Sequence, residues 1–543
     1  MTNSFHKLTL GFLAAILFAG CGATTLVSTP IANIDTTPLK ISDLTEAEKE
    51  NWGHLDLVSD TIPGMSVDKA YQEIIGNKKG QKVIVAVVDS GIDLKHEDLD
   101  GVLWTNKGER AGDGKDNDNN GYIDDVHGYN FLGESYNEQL EAARIVKLKL
   151  GDAAMQAKAK AKVETEYAKA VQNKQQYEQF LQAVKNADEG IKKYLGKTEY
   201  VKKDVAAIKP EDEAMQQNKG IIMQAYSYED SPAVFMEMLE EGIKHFSDQA
   251  NYNYNVDFDG RKMVGDDPYD ITDTKYGNGN PQSRSKDESH GTHVAGIIAA
   301  ERNNGKGANG IANNVEIMSL RAVPNGDEYD KDIALAIRYA ADNGAKIING
   351  SFGKSFSPNA QWVYDAIKYA AEKDVLFVHA AGNDGADLDD SANPNFPNDQ
   401  VNNSPEIADN VITVGALDAK YGSEMVASYS NYGKVNVDVF APGTDIYSTY
   451  PNNEYEYSPG TSMASPAVAG VAALIRSQYP KLSASQVKNI ILESGLAPKA
   501  KVILGGDAEK VGKLDEISTS GKIVNAYNAL IMAKGVSEGK IRL

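Results

Sequence analysis

The chain has 543 residues, a formal net charge of −22 and 41% hydrophobic residues, which is ordinary for a soluble globular protein of one large or several smaller domains. The excess of negative charge argues against nucleic acid as a partner and against electrostatic docking to anionic lipid. The single cysteine, Cys21, excludes an intrachain disulfide.

Residues 1–20 are typical of a signal peptide. Lys7 precedes an apolar run over residues 8–19 that is too short to span a bilayer. The run leads into residues 18–21 (FAGC), which resemble the bacterial lipobox, where the cysteine is acylated and becomes the mature N-terminus. We therefore expect an exported protein of the bacterial cell envelope, anchored to the lipid bilayer through Cys21. An ordinary signal peptide with a stray cysteine is the alternative.

Residues 21–51 are rich in Thr, Ser, Pro and acidic residues, so we interpret them as a tether that closes with a short helix over 44–51. Globular sequence begins near Trp52. Residues 83–88 (VIVAVV) then form an apolar run typical of a central parallel strand buried on both faces. Ligands bind beyond the carboxyl ends of strands in open α/β sheets, so Asp89, which follows this run, is a candidate for chemistry. An aspartate that caps a turn is the common alternative.

The next notable segment is acidic and spans residues 113–125 (DGKDNDNNGYIDD). Alternate oxygen-bearing side chains followed by Gly121 match the first half of a calcium loop, although His127 stands where a bidentate glutamate is expected. We therefore predict a structural calcium site, and a solvated acidic loop is the alternative. The predicted ligands are Asp116, Asp118, Asn120, Tyr122, Asp124 and Asp125.

Residues 134–252 change in character, with Ala, Lys, Glu and Gln dominant and apolar residues at helical spacing. This pattern predicts a helical hairpin or small bundle inserted between two parts of one α/β domain, 52–133 and 253–543. The insertion is either an exposed structural addition or an element that gates substrate or holds a partner.

Residues 289–296 (SHGTHVAG) open a second buried segment, a helix with functional side chains at its start. His290 and His293 could together bind a metal, although no third ligand is evident nearby. Alternatively, His290 is a general base and His293 is a packed histidine. The second interpretation requires a serine and an acid elsewhere in the chain.

From Asn314 onward, predicted strands and helices alternate, which predicts an α/β fold with a doubly wound parallel sheet. The predicted strands cover 315–323, 346–349, 375–378, 411–414 and 437–440, and the helices between them cover 330–343 and 361–373. Residues 460–466 (GTSMASP) then deliver Ser462 to the start of a buried helix over 463–475. The helix dipole and the free N–H groups of its first turn favour a negative charge there.

Asp89, His290 and Ser462 occur in one of the three chain orders known for the serine triad. With their neighbours (VVDSG, HGTHVAG and GTSMASP), they resemble the three signature stretches of the subtilase (subtilisin-like) serine proteases. The resemblance covers roughly residues 52–132 and 253–535. It is specific because three separate stretches match in the right order.

The resemblance implies an enzyme that hydrolyses the peptide bonds of proteins or peptides by acyl transfer. It implies that Ser462 is the nucleophile, His290 the general base and Asp89 the residue that orients the imidazole. It also implies that Asn383, in the stretch AAGN, donates to the oxyanion together with the Ser462 backbone. The substrate-binding residues that it implies are Ser351, Phe352, Gly353, Ala380 and Gly382.

The chain departs from the family pattern in three places. The helical insertion separates Asp89 from His290. The short stretch between Cys21 and Trp52 leaves no room for the usual folding pro-domain. Both departures argue against autocatalytic maturation; either the mature enzyme folds unaided or the insertion takes over part of the pro-domain's role. Gly350 stands where the family tends to carry a bulkier residue, so a looser pocket floor is expected. The rival hypothesis is a binding lipoprotein on a catalytically silent subtilase scaffold.

Overall fold

A computed structural model describes residues 28–32, 34–36, 38, 40–284 and 286–543. The predicted signal peptide and Cys21 lie outside these residues. Within the part of the chain that is described, no helix is both long enough and apolar enough to cross a membrane.

The centre of the molecule is a seven-stranded sheet whose neighbouring strands are all parallel. The strands are β1 (Val83–Asp89), β2 (Gly128–Asn130), β3 (Val315–Arg321), β4 (Ile347–Gly350), β5 (Leu376–Ala380), β6 (Val411–Leu417) and β7 (Val439–Pro442). Their spatial order is β2-β3-β1-β4-β5-β6-β7. The order reverses around β1, as in a doubly wound sheet, so the predicted fold class is confirmed.

Two antiparallel hairpins stand outside the main sheet and were not predicted. They are β8 (Ile446–Tyr450) with β9 (Glu454–Ser458), and β10 (Lys501–Leu504) with β11 (Asp507–Lys513). The turn of the first hairpin contains Asn452 and Asn453, which both adopt positive φ values of 70° and 61°. Asparagine tolerates this conformation better than most residues do.

Alongside several short 3-10 and π-helical segments, the α-helices are the other main elements. They are α1 (Glu46–Asn51), α2 (Val67–Ala70), α3 (Glu141–Leu148), α4 (Ala153–Leu195), α5 (Lys202–Ala207), α6 (Glu213–Tyr228), α7 (Pro232–Asp248), α8 (His290–Ala299), α9 (Asp330–Asp342), α10 (Ala360–Glu372), α11 (Thr461–Gln478), α12 (Ala484–Ser494), α13 (Leu514–Ile517) and α14 (Ala526–Ser537). Helix α12 begins with a capping box, because Ser483 and Gln486 each accept the other's backbone N–H.

Helices cover both faces of the sheet, which is why β1 is apolar at nearly every position. Val85 and Val87 pack in a core with α8, α11, α12 and α14. Ala86 and Val88 point to the opposite face and pack in a core with α9 and α10. The long helix α11 lies in the first core and carries no charge before Arg476. These two cores fix the carboxyl edge of the sheet, where Asp89 and the start of α11 lie.

Helices α3 to α7 lie within the segment predicted as an insertion. The distal part of α4 packs with α5, α6 and α7 around a core of its own, which includes Val184, Ile191 and Phe235. Helix α3 instead joins the sheet domain: the Glu141 carboxylate pairs with Lys354 at 3.0 Å, and Asp327 accepts the Glu141 backbone N–H at 2.8 Å. Helix α3 therefore packs on the sheet domain, whereas the distal part of α4 packs with α5, α6 and α7.

The segment predicted as a tether contacts the globular part of the chain. Ile34 is 4% exposed and lies in a core beside Trp52. The backbone N–H of Ile31 donates to Asn528 Oδ1 on α14 at 2.7 Å. Ile31 and Ile34 therefore lie against the domain.

Candidate active site

An aspartate–histidine pair lies at the carboxyl end of β1. Asp89, the last residue of the strand, contacts His290 Nδ1 with Oδ1 at 2.8 Å and Oδ2 at 3.0 Å. The Ser90 backbone N–H fixes Asp89 Oδ1 at 2.7 Å. A Cβ on Gly291 would lie 2.3 Å from Gly91 O, so only glycine lets the start of α8 approach β1 this closely.

The two members of the pair differ in exposure. The Asp89 side chain is 2% exposed, whereas the His290 side chain is 39% exposed. Burial lowers the pKa of His290, but the charge of Asp89 and its hydrogen bond outweigh this and hold that pKa above its usual value. The imidazole is therefore poised to accept a proton on its outer nitrogen, with Nδ1 fixed by the carboxylate.

Ser462 lies in the first turn of α11, as the sequence predicts. Its backbone carbonyl accepts the Ser351 hydroxyl at 2.8 Å, and its own hydroxyl donates to Ser351 O at 3.4 Å. Among the described residues, no hydrogen bond joins Ser462 to His290. The structure thus pairs Asp89 with His290, and the serine hydroxyl instead contacts Ser351, the residue that follows β4.

Asn383 lies beside the start of α11, just beyond β5. Its Oδ1 accepts both the backbone N–H and the hydroxyl of Thr461, each at 2.9 Å. Because Oδ1 is held by these two bonds, the Nδ2 group of the same amide faces away from Thr461. A Cβ placed on Gly460 would lie 3.5 Å from Asn383 Nδ2 and 3.6 Å from Ser462 N, so the two donors border one small space.

A cavity of about 300 Å³ opens next to these donors and is lined by Ser462 and Asn383. The substrate-binding residues implied by the resemblance that also line it are Phe352, Gly353, Ala380 and Gly382. Ser351 is not among the lining residues and is instead hydrogen-bonded to Ser462. Leu140, Ala142 and Lys162 from the helical insertion also line it.

The floor of this region is not loosened by Gly350. A Cβ there would lie 2.9 Å from Phe377 Cζ and 3.1 Å from Phe352 Cε1. The two aromatic rings occupy the space that a larger residue would need, so the expectation of a looser floor is wrong. His379 stacks on Phe377 and contacts Phe352 O through Nε2 at 2.7 Å, which adds to this packing.

His293 is a packed histidine. Its Nε2 lies 3.0 Å from the Glu456 carbonyl on β9, and burial lowers its pKa to about 4. The nearby hairpin also fixes the helix, since Ser448 donates to His293 O at 2.7 Å. Within the described part of the chain, neither His290 nor His293 belongs to a group of three possible metal ligands. The geometry therefore favours the interpretation of His290 as a base.

The acidic loop brings together a set of ligands that overlaps only in part with the predicted set. Carboxylate oxygens of Asp118 and Asp125 lie within 4.8 Å of one another and of Glu109, which was not predicted. Asn120 donates to both aspartates, at 3.2 Å to Asp118 and 2.9 Å to Asp125. The Tyr122 ring packs against Tyr129 and Tyr339.

The other two predicted carboxylates are engaged elsewhere in the loop. Asp116 accepts the backbone N–H groups of Asn120 and Gly121 at 3.1 and 2.9 Å. Asp124 accepts those of Asp113 and Gly114 at 3.1 and 3.0 Å. Both side chains shape the turn rather than join the cluster, because short acidic side chains readily bond to nearby backbone.

The residues around the cluster fit a hard cation. Glu109 Oε2 is buried and has no hydrogen-bond partner in the structure. Burial raises the pKa of Asp125 to about 6, and the nearby charges of Asp118 and Glu109 raise it further. The hydrogen bonds from Tyr339 and Asn120 lower this pKa but do not offset the increase. A cation would relieve both the orphaned oxygen and the repulsion among the carboxylates.

Sequence reasoning missed several residues of these sites. Thr461 could have been found, because it lies inside the recognised stretch before Ser462. Glu109 precedes the acidic motif and carries no pattern of its own. Leu140, Ala142 and Lys162 reach the cavity only through the packing of α3 and α4 on the domain, which no local pattern encodes.

A parallel sheet with an aspartate–histidine pair at a strand end and a serine at the start of a buried helix defines a class of α/β hydrolytic folds. The chain belongs to the subtilase family, whose model matches residues 80–515.

Curated relatives agree with this assignment. The chain is 40% identical over 276 residues to the thermophilic serine proteinase of Bacillus sp. (strain AK1), covering 50% of this chain and 58% of that protein. It is 36% identical over 270 residues to thermitase of Thermoactinomyces vulgaris, covering 50% and 81%. It is 41% identical over 201 residues to subtilisin DY of Bacillus licheniformis, covering 37% and 68%. The chain thus spans little more than half the length of the first of these relatives.

Proposed function

We propose that the protein is a subtilisin-like serine endopeptidase that cleaves proteins or peptides through Asp89, His290 and Ser462. The observation that carries the proposal is the Asp89–His290 pair at the end of β1, with Nδ1 held at 2.8 Å and the imidazole 39% exposed. A buried carboxylate that fixes one nitrogen of a partly exposed histidine is the arrangement that a general base needs.

The proposed reaction begins when Ser462 Oγ attacks the scissile carbonyl and its proton passes to His290. The imidazolium is stabilised by Asp89. His290 then gives the proton to the leaving amine, and the acyl group remains on Ser462 as an ester. Water attacks this ester, His290 takes the proton from the water, and the proton returns to Ser462 as the acid product leaves.

The negative charge of each tetrahedral intermediate would lie between Asn383 Nδ2 and Ser462 N. Both donors border the space beside Gly460, and the amide orientation of Asn383 is set by Thr461. Donors that are fixed before the charge develops need no reorganisation during the reaction, which is why they stabilise the transition state.

The serine hydroxyl must turn away from Ser351 O to reach His290. Its bond to that carbonyl is long, at 3.4 Å, so little is lost when it turns. Catalytic hydrogen bonds are often loose in substrate-free enzymes and tighten in the substrate complex. The geometry is therefore compatible with the proposed role.

The proposal is tested by Ser462→Ala. We expect this change to abolish hydrolysis of an unfolded protein substrate and labelling by a fluorophosphonate, because the nucleophile is lost. Ser537→Ala, at the exposed end of α14, is the matched control and should behave as the wild type does. Hydrolysis by Ser462→Ala at the wild-type rate would overturn the proposal.

We also propose that calcium stabilises the acidic loop, held by Glu109, Asp118 and Asp125. Calcium there would supply positive charge that joins the loop to Glu109, which precedes it in the chain, and would take no part in the reaction. The support is the orphaned Glu109 oxygen and the mutual repulsion of the three carboxylates. A chelator should lower the melting temperature while hydrolysis below that temperature persists.

For cellular location, we propose export and attachment to a bilayer through acylated Cys21. The support is the sequence pattern of residues 1–21 alone. When a cell lysate is partitioned between a detergent phase and an aqueous phase, Cys21→Ala should move the protein from the detergent phase to the aqueous phase. An unchanged detergent-phase fraction would contradict lipid attachment.

A further inference from the structure

The cavity beside Ser462 is built from two parts of the chain. It touches both the proposed nucleophile and Asn383, so it lies where the substrate side chain next to the attacked carbonyl would enter. The sheet domain contributes part of its lining, including Phe352 and Gly382, and the insertion contributes another part, through Leu140, Ala142 and Lys162. The insertion therefore contributes to the pocket that would bind this substrate side chain.

Lys162 is the cation in this cavity that is available to a ligand. Its Nζ donates to Ser355 Oγ at 3.0 Å and lies 5.9 Å from the centre of the Phe356 ring. Both contacts hold the side chain in place without neutralising it. Among the described residues, no carboxylate forms an ion pair with Lys162.

The second cation that lines the cavity, Lys354, is already fully engaged. Its ammonium contacts Glu141 Oε2 at 3.0 Å, Asp330 Oδ1 at 2.9 Å and Glu328 O at 2.7 Å. These three contacts match the three donors of an ammonium group. The Lys354 side chain is also 2% exposed, so it has no donor left for a substrate.

The acidic side chains that line the cavity do not neutralise the positive charge of Lys162. Asp327 lies beside Arg144 and Lys354, and its Oδ2 accepts the Glu141 backbone N–H at 2.8 Å. Burial raises the pKa of Asp327, although these cations oppose the shift. Asp384 is exposed, so water and salt screen its charge.

We propose that Lys162 makes this pocket select an acidic side chain immediately before the scissile bond. The inference rests on the proposed protease function and adds a role for the insertion: α4 supplies the residue that determines specificity. Lys162 binds the substrate and takes no part in the bond-breaking steps. An incoming carboxylate would gain a partly desolvated partner that is already fixed in position by Ser355 and Phe356.

The test compares kcat/KM for two peptides that differ only in glutamate or glutamine before the cleaved bond. This pair has the same shape and differs in charge. The wild type should prefer glutamate by roughly tenfold, as for a hydrogen bond to a charged group, and this preference should decrease as salt is added. Lys162→Met should bring the ratio to about one, whereas Lys162→Arg should keep the preference.

Two further variants sharpen the result. Lys160→Met lies on the same helix with a 67% exposed side chain and does not line the cavity, so it should keep the wild-type ratio. Lys162→Glu should reverse the preference toward a lysine peptide. Fluorophosphonate labelling of Ser462 in each variant shows that the site is folded.

The outcomes separate this inference from the proposed function. The role of Lys162 is overturned, and the protease proposal stands, if the labelled wild-type enzyme shows no preference for glutamate. The same conclusion follows if Lys162→Met prefers glutamate as strongly as the wild type does. A wild type that is neither labelled nor active overturns the protease proposal and this inference together.

Discussion

Thr461 donates its backbone N–H and its hydroxyl to the same oxygen of Asn383, each at 2.9 Å. The residue before the proposed nucleophile thus sets which end of the Asn383 amide faces the reacting carbonyl. We expect Asn383→Leu to lower kcat by about 10² to 10³ with little change in KM, because its donor acts on charge that develops in the transition state. Steady-state kinetics with a chromogenic peptide measures this, and an unchanged kcat would contradict the assignment.

The Thr461 hydroxyl gives a finer test of the same relationship. Thr461→Val removes one of the two bonds that orient Asn383 and should lower kcat by roughly tenfold, as the loss of one orienting hydrogen bond does. Thr461→Ser keeps the hydroxyl and should retain most of the rate. An unchanged kcat in Thr461→Val, which keeps the methyl group and loses only the hydroxyl, would contradict a role for this hydrogen bond.

Alanine substitutions at Gly460 and at Gly422 form a matched pair. Gly460 has φ of +147° and borders the space between Asn383 Nδ2 and Ser462 N, whereas Gly422 has φ of +128° and nothing within 4 Å of its Cβ position. Alanine at either site should cost about 1–3 kcal/mol of stability through backbone strain. Only Gly460→Ala should also reduce kcat/KM, by more than about tenfold as for a displaced oxyanion donor. Equal kinetics for both variants would contradict this account of the oxyanion site.

The pH profile tests the Asp89–His290 pair. Asp89 holds the pKa of His290 above its usual value, so removing its charge should lower that pKa. Activity requires neutral His290 and therefore rises as pH rises through this pKa. In Asp89→Asn the rising limb of kcat/KM should shift to lower pH, and the plateau should fall by about 10⁴, as in serine triads generally. A limb that shifts to higher pH would contradict the pairing.

The acidic loop predicts a pH-dependent calcium affinity. The pKa of Asp125 is raised to about 6, so protons compete with the cation as pH falls through this value. Calorimetric affinity should weaken between pH 7 and about pH 5, and Glu109→Gln should weaken it roughly tenfold at neutral pH. Glu189→Gln, on the exposed face of α4, is the control and should bind as the wild type does. An affinity that does not change with pH would contradict a role for Asp125.

The sheet and the residues of the candidate site could be predicted because their signals are local. The buried strands are continuous apolar runs, and β1 and α11 begin and end near the predicted residues. Asp89, His290, Asn383 and Ser462 each follow such a run or open a buried helix. The turn of the β8–β9 hairpin was also visible in principle, since its two asparagines adopt the left-handed conformation that such turns require.

The remaining features depend on tertiary packing. Glu109 joins Asp118 and Asp125 only after the loop folds back, and Asp116 and Asp124 are drawn to nearby backbone instead. Lys162 belongs to a charged, largely exposed helix, and its sequence neighbours give no sign that it alone faces the cavity. The orientation of α4 relative to β4 cannot be obtained from helical periodicity.

The central claim is that Ser462 becomes acylated by the substrate with help from His290. Mass spectrometry of the protein after brief reaction with an activated peptide ester measures this directly. We predict one acyl group per chain, mapped to Ser462, formed at a rate that rises with pH through the His290 titration and absent in Ser462→Ala. Acylation of another residue, or acylation of Ser462 at a rate that Asp89→Asn and His290→Ala leave unchanged, would contradict the account.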